Sequence, residues 1–180
     1  SRVESNVDDT ADTFITLRNG QLYLGDEVYR FCSLNSPELL SCDTDLSPDQ
    51  VQFEIVDTLQ SLKLGFARPV TRIYTLTFKS SNITRGHING WNAQWGDWEW
   101  DEERLVEIDR VLDEARKRGV RLIVPLINQD YGGEDTNFVG NFTDLIRMRK
   151  GLTYSEAKTV DWWTDDEMIE RYDYTLFDPS

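Results

Sequence analysis

Apolar and polar positions follow two different periods along this chain, and the switches between them outline its elements. After a polar leader over residues 1–13, "FITLRNGQLYL" places two short apolar-polar runs on either side of Asn19-Gly20. That pair favours the two-residue turn of a β-hairpin. A strand over Tyr29 to Asn35 is expected next. Ser47 then supplies an N-cap, Pro48 a first-turn proline, and Gly65 stands just past the expected helix end. Between them Val51, Ile55, Leu59 and Leu62 recur at helical spacing and form one apolar stripe. A second strand is expected over Val70 to Thr75, followed by a polar, aromatic insertion, "SSNITRGHINGWNAQWGDWEW". Asp101 caps another helix, whose buried face is expected to carry Leu105, Ile108, Leu112 and Ala115. Lys117 and Arg118 suit its C-terminal dipole, and Gly119 ends it. The apolar run Leu122, Ile123, Val124, Leu126 and Ile127 reads as a third strand covered on both faces, although Pro125 cannot donate a ladder hydrogen bond. A long connection leads to a short helix at Ser155 to Lys158, and Thr164 caps a last helix, "DDEMIERYDY".

The predicted order is hairpin, β, α, β, α, β, long loop, α. Strands alternating with helices imply an α/β fold whose parallel sheet is linked by right-handed crossovers. The helices cover one face of such a sheet, and the pattern offers no cover for the other.

Composition narrows the partners. A length of 180 residues suits one domain with a sizeable core and is short for two. The formal charge of -14, from 33 acidic and 19 basic side chains, argues against nucleic acid and against an anionic membrane. No apolar run approaches the ~20 residues of a membrane span. The leader lacks a signal-peptide core, so a secretion signal is expected to have been removed or never to have existed. Cys32 and Cys42 fit neither a disulfide framework nor a zinc site, and no metal or cofactor is expected. Cys32 is expected to be a small core residue. Two Asn-X-Thr triplets, at Asn82 and Asn141, permit a secreted life and slightly favour it, while the compartment stays open.

Candidate chemistry gathers in four places. In "RLIVPLINQDYGG", the groups Asn128, Gln129, Asp130 and Tyr131 follow the third strand directly, and Gly132-Gly133 allows a tight turn. This is either a ligand loop of the kind found at strand ends in α/β folds or a plain strand cap. Arg72 shares one strand face with Val70 and Tyr74. It either meets an anionic partner there or sits at the strand end and reaches solvent. Trp91, Trp95, Trp98 and Trp100 offer flat faces that suit sugar rings, or else pack over helix ends, the expectation for Trp98 and Trp100. His87, the single histidine, is expected in a surface loop. The chain carries no G-x-S-x-G, G-x-G-x-x-G or P-loop motif.

The blocks "FITLRNGQLYLGDEVYRFCSLNSPEL", "VTRIYTL", "GWNAQWGDWEWDEERLVEIDRVLDEARKRGVRLIVPLINQDYGG" and "DWWTDDEMIERY" together resemble the N-terminal part of glycoside hydrolase family 5, in its β-mannanase and β-mannosidase branch. The resemblance runs from Phe14 to about Tyr172. It implies a partial (β/α)8 TIM barrel: the first three β/α units, with an N-terminal hairpin, over residues 14–180. It also implies retaining hydrolysis of β-mannosidic bonds, with β-mannan or manno-oligosaccharide as partner. By the same resemblance Arg72 supports the nucleophilic carboxylate, and Asn35, Trp91, Asn128 and Tyr131 line the sugar cleft. The family's two catalytic glutamates follow its fourth and seventh strands, the first within an Asn-Glu pair. No Asn-Glu pair occurs in these 180 residues. A chain truncated before strand four is therefore expected to be inactive alone, and to associate with itself or with a complementary C-terminal fragment. The alternative is a non-catalytic carbohydrate-binding or interaction fragment of that fold.

Overall fold

A computed structural model describes residues 14–40, 47–127 and 139–170. The chain is mixed α/β, with three small sheets among the described residues, and none of them closes into a barrel. It divides into two compact units, one of Ser1–Ile73 with Arg110–Ile123 and one of Tyr74–Asp109 with Val124–Ser180.

In the first unit the expected hairpin forms. Strands β1 (Ile15–Arg18) and β2 (Gln21–Leu24) pair antiparallel, with Arg18 opposite Gln21. Asn19 and Gly20 both take positive φ, at 50° and 74°, as the tight turn demands. A third strand, β3 (Glu27–Val28), extends this sheet on the other side of β2. Helix α1 (Pro48–Gly65) starts on a capping box: the Gln50 backbone N–H donates to Ser47 Oγ at 3.3 Å, and the Ser47 N–H donates to Gln50 Oε1 at 2.9 Å. Ile55, Leu59 and Leu62 are buried as the stripe requires. Gly65 is the helix's last residue rather than its successor, and Phe66 caps the end through its N–H to the Leu62 carbonyl.

Strand β4 (Val70–Arg72) pairs in parallel with β7 (Arg121–Ile123), Thr71 lying opposite Leu122. Both are shorter than expected. The stretch from Leu122 to Ile127 does not form a strand covered on both faces: pairing stops at Ile123, which is 46% exposed, two residues before Pro125. Tyr29 to Asn35 is not a regular strand either. It reaches β4 through one parallel bridge, Asn35 to Arg72, with the Ser36 N–H on the Arg72 carbonyl at 3.0 Å. Thr71 Oγ1 donates to the Leu34 carbonyl at 2.7 Å and so stands in for a missing ladder bond. The cause lies in the side chains, because Arg30, Phe31, Cys32 and Leu34 are all exposed and give this segment almost no buried face. Cys32 is thus a surface thiol, not a core residue.

Helix α2 (Glu102–Arg118) begins where expected, with Asp101 Oδ1 accepting from the Arg104 N–H at 3.2 Å. Its buried face departs from the expected one at a single position, Val111 replacing Leu112. Val111 and Ala115 are buried, whereas Leu112 is 44% exposed. Both 3-4-3 and 3-3-4 spacings fit one helical stripe, so the spacing alone does not choose between Val111 and Leu112.

The second unit holds a continuous apolar cluster of Leu76, Phe78, Ile88, Trp98, Phe142, Leu145, Ile146, Ala157, Trp162 and Met168. The aromatic insertion is itself a hairpin, β5 (Ile88–Asn92) against β6 (Asp97–Trp100), closed by Asn92 Oδ1 accepting from the Gln94 and Trp95 N–H groups. Helix α3 (Phe142–Lys150) fills part of the expected long connection, capped by Asn141 and ended by Gly151 at φ 66°. Helix α4 (Tyr154–Ala157) starts one residue before the predicted turn, on a Thr153–Glu156 capping box. The last helix begins at residue 166. Asp165, not Thr164, caps it, its Oδ1 accepting from the Met168 N–H at 3.2 Å.

Gly140 belongs to this packing. The Phe78 N–H donates to the Val139 carbonyl at 2.9 Å, so the chain crosses Phe78 closely at residue 140. A Cβ on Gly140, at φ +76°, would lie 2.5 Å from Phe78 Cβ, whereas one on Gly20, at φ +74°, meets nothing within 4 Å. Gly20→Ala should therefore cost only the positive-φ penalty of about 1–2 kcal/mol. Gly140→Ala adds overpacking, about 1–3 kcal/mol more. Urea unfolding of the two variants measures the difference, and equal losses would show that Phe78 yields freely.

Candidate functional site

Arg72 is the last residue of β4, and two segments running parallel to it meet it there. Asn35 bridges it on one side and Ile123 pairs with it on the other, so Asn35, Arg72 and Ile123 stand abreast. Because the strands run the same way, these are their carboxyl ends, where α/β sheets present ligand-binding groups. Val70, two residues earlier, is 2% exposed, yet Arg72 itself emerges into solvent. Of the two readings of this arginine, the solvated strand end is the observed one. Among the described residues no carboxylate pairs with it, and its guanidinium is available to one. Asn35 is likewise exposed. Asn128 and Tyr131 lie outside the described residues, as do Gln129, Asp130, Gly132 and Gly133.

Trp91 belongs to the second unit, on β5. Its ring meets Trp98 edge-on, with centroids 5.1 Å apart, and the Arg149 guanidinium lies 3.6 Å from its centroid. One π-face of Trp91 is therefore already occupied by a cation. Trp98 is buried on β6 within the core cluster, rather than packing over helix ends as expected. Trp95, in the hairpin turn, is the most exposed of the four at 77%.

A second group of polar side chains gathers near His87. Far from a surface loop, this side chain is 1% exposed. Its Nδ1 accepts from the Thr77 N–H at 3.0 Å and lies 2.9 Å from Thr77 Oγ1, and its backbone carbonyl accepts from the Asp101 N–H at 2.9 Å. With Nδ1 accepting, the ring hydrogen sits on Nε2, which has no hydrogen-bond partner. Asp101 is gripped by Arg85, whose Nε donates to Oδ2 and whose Nη2 donates to Oδ1 at 2.6 Å, and Asn89 Nδ2 adds a bond at 3.2 Å. Those Arg85 bonds, more than any other cause, hold the Asp101 carboxyl down at about 2. The Arg85 guanidinium is raised in turn by Asp101 and Glu103. The only forewarning in sequence is the pair of glycines at Gly86 and Gly90: a Cβ on Gly86 would lie 2.6 Å from the Thr77 carbonyl oxygen. No group of acidic, cysteine or histidine side chains among the described residues is arranged to hold a metal ion. No helix among them is long and apolar enough to cross a membrane.

No protein-family profile matches the chain, and no curated protein matches it either.

Burial, aided by the nearby Arg104 charge, lowers the His87 pKa to about 4, while Asp101 and the Thr77 bond oppose the shift. An unfolded histidine titrates near 6.5. Below that value the unfolded chain takes up a proton that the folded chain refuses. Stability is then fully present above pH 6.5 and falls as pH drops toward 4, by up to ~3 kcal/mol. The carboxylates with lowered pKa, such as Asp101, contribute stability that is lost only at more acidic pH, so the window from 6.5 to 5 belongs to the single histidine. Urea melts across that window should show this slope in the native chain and its absence in His87→Gln. A variant that kept the slope would place the titrating group elsewhere.

Proposed function

We propose that this chain is part of a retaining glycoside hydrolase acting on β-mannosidic linkages, of the endo-β-1,4-mannanase or exo-β-mannosidase type. On this reading it forms the first three β/α units of a (β/α)8 barrel. The observation that carries the reading is the parallel bridge between Asn35 and Arg72 beside the parallel β4–β7 pair. It sets two of the five residues that the family resemblance singles out at adjacent strand ends, and in barrel enzymes active sites lie at the carboxyl ends of the strands. The partner is β-mannan or manno-oligosaccharide.

A retaining glycosidase divides its chemistry between two carboxyl groups about 5–5.5 Å apart, one an acid/base and one a nucleophile. Arg72 touches neither the sugar nor the proton in this scheme. It orients the nucleophilic carboxylate by a forked hydrogen bond and keeps it ionised, which makes it a positioning residue. The carboxylate pair itself would come from further strands of the barrel. Among the described residues β7 pairs with β4 alone, and an open edge of this kind favours pairing with a second copy or a complementary segment.

Two measurements test this. The 180-residue chain should leave mannan and an aryl β-mannoside unhydrolysed. Turnover that survives a control for host glycosidases would assign the chemistry to other acids, such as Asp130 or Glu134. In a chain that also carries the carboxylate pair, Arg72→Ala should lower kcat by about 10²-fold or more with little change in KM, because its help is given in the transition state. Arg72→Lys should also be poor, since a point charge does not reproduce the fork. A raised KM with unchanged kcat in the alanine variant would remove the role given to Arg72.

A further inference from the structure

The two Asn-X-Thr triplets, similar in sequence, have opposite surroundings. Asn82 and Thr84 are both exposed, in a turn closed by the Ser80 N–H on the Ile83 carbonyl at 2.9 Å. Ser80 Oγ accepts from the Asn82 and Ile83 N–H groups at 3.3 and 3.1 Å. On its inner side the turn is anchored by the Ser81 N–H donating to the Tyr154 hydroxyl at 3.3 Å, and that hydroxyl donates to the buried Asp144 at 2.7 Å. Asn141, by contrast, is 1% exposed and Thr143 is 0% exposed. The Asn141 side chain accepts from the Thr143 N–H at 3.0 Å, and its backbone N–H donates to Asp144 at 3.1 Å, so the triplet is used up in starting α3.

We propose that Asn82 is an N-glycosylation site of this protein and that Asn141 is not. The donor class is a lipid-linked oligosaccharyl diphosphate acting through a transferase. The Asn82 side-chain nitrogen forms a bond to the sugar's anomeric carbon, the bond from that carbon to the diphosphate oxygen breaks, the diphosphate carrier leaves, and the amide nitrogen gives up one proton. A hydrated glycan on Asn82 projects from an exposed turn, where solvent can hydrate it. The same group on Asn141 cannot be enclosed in a packed interior, so a chain that received it before folding would lose the α3 cap and the cluster around Phe142 and Leu145. A glycan at Asn82 requires passage through a secretory compartment but no glycosidase activity, so the inference stands apart from the mannan reading.

The test is secretion of the full chain from a eukaryotic host, behind a cleavable signal and with a reporter triplet appended at the C-terminus. Glycopeptide mass spectrometry on the soluble fraction should find Asn82 occupied and Asn141 bare. Asn82→Gln should remove that glycan from the chain proper, and Asn141→Gln should leave it in place. If Asn82→Gln fails to fold, Thr84→Ala removes the acceptor triplet while keeping the asparagine. Chains whose reporter is glycosylated but whose Asn82 is bare overturn the proposal, as does a glycan on Asn141 in folded, soluble protein.

Discussion

Two parallel strands cannot be joined by a tight turn, and the pairing of β4 with β7 imposes that constraint on everything between them. After Arg72 the chain must travel back to the starting end of the sheet before Arg121 can lie beside Val70. The last part of helix α2, from Arg110, belongs to the same unit as the two strands, and Gly119 and Val120 lead directly out of it into β7. The same constraint fixes the register at the other end. Once Val70 faces Arg121, Arg72 must face Ile123, and the bridge to Asn35 follows from the chain direction of the segment before it. The alignment of Asn35 and Arg72 is thus a consequence of three segments running the same way, not of any attraction between their side chains. This is why the strand ends can offer exposed polar groups at little cost to stability: backbone bonds position them.

Features that depend on local chemistry were legible in the sequence, and those that depend on distant partners were not. Asn19-Gly20 announces its hairpin because few other pairs accept two successive positive φ values. Ser47-Pro48 announces α1 because capping is settled within four residues. The parallel strands form where expected but end early, for the opposite reason. An apolar run such as Leu122 to Ile127 is a strand only as far as a neighbour supplies hydrogen bonds, and the proline ends that supply early. Cys32 reads as apolar in sequence but lies on a segment held by one bridge, so nothing covers it. Helix α3 is hard to see in sequence because its capping box pairs Asn141 with Asp144, a less familiar signal than Ser or Thr with Glu, and the same asparagine begins an Asn-X-Thr triplet. Of the candidate site, Arg72 was legible as a strand-end arginine. The environment of His87 was not, because no rule of spacing links it to Thr77 ten residues earlier.

The second unit buries several polar groups, and three of them, His87, Asp101 and Asp144, each close a different joint. His87 ties the start of the aromatic hairpin to Thr77 through a side-chain and a backbone bond. Asp101 receives the chain at the end of that hairpin, caps α2 and holds Arg85. Asp144 caps α3 and reaches Tyr154, whose hydroxyl also receives the Ser81 N–H. Each of these contacts is satisfied in only one arrangement of the chain. Apolar residues alone would tolerate sliding, since burial is indifferent to direction. The hydrogen bonds therefore specify where the hairpin and helices meet, while the cluster from Leu76 to Met168 supplies the bulk of the driving force.

That division of labour bears on how the tryptophans are counted. Four in ten residues invite the inference of a sugar platform, but a platform needs a free π-face. Trp98 spends its surface in the core, and Trp91 has one face under the Arg149 guanidinium at 3.6 Å and its flank against Trp98. A sugar ring stacking on the Arg149 side would first have to displace a contact worth about 0.5–2 kcal/mol. Of the four, Trp95 in the turn is the one left most open to solvent, and the number of aromatic residues overstates the surface they leave open.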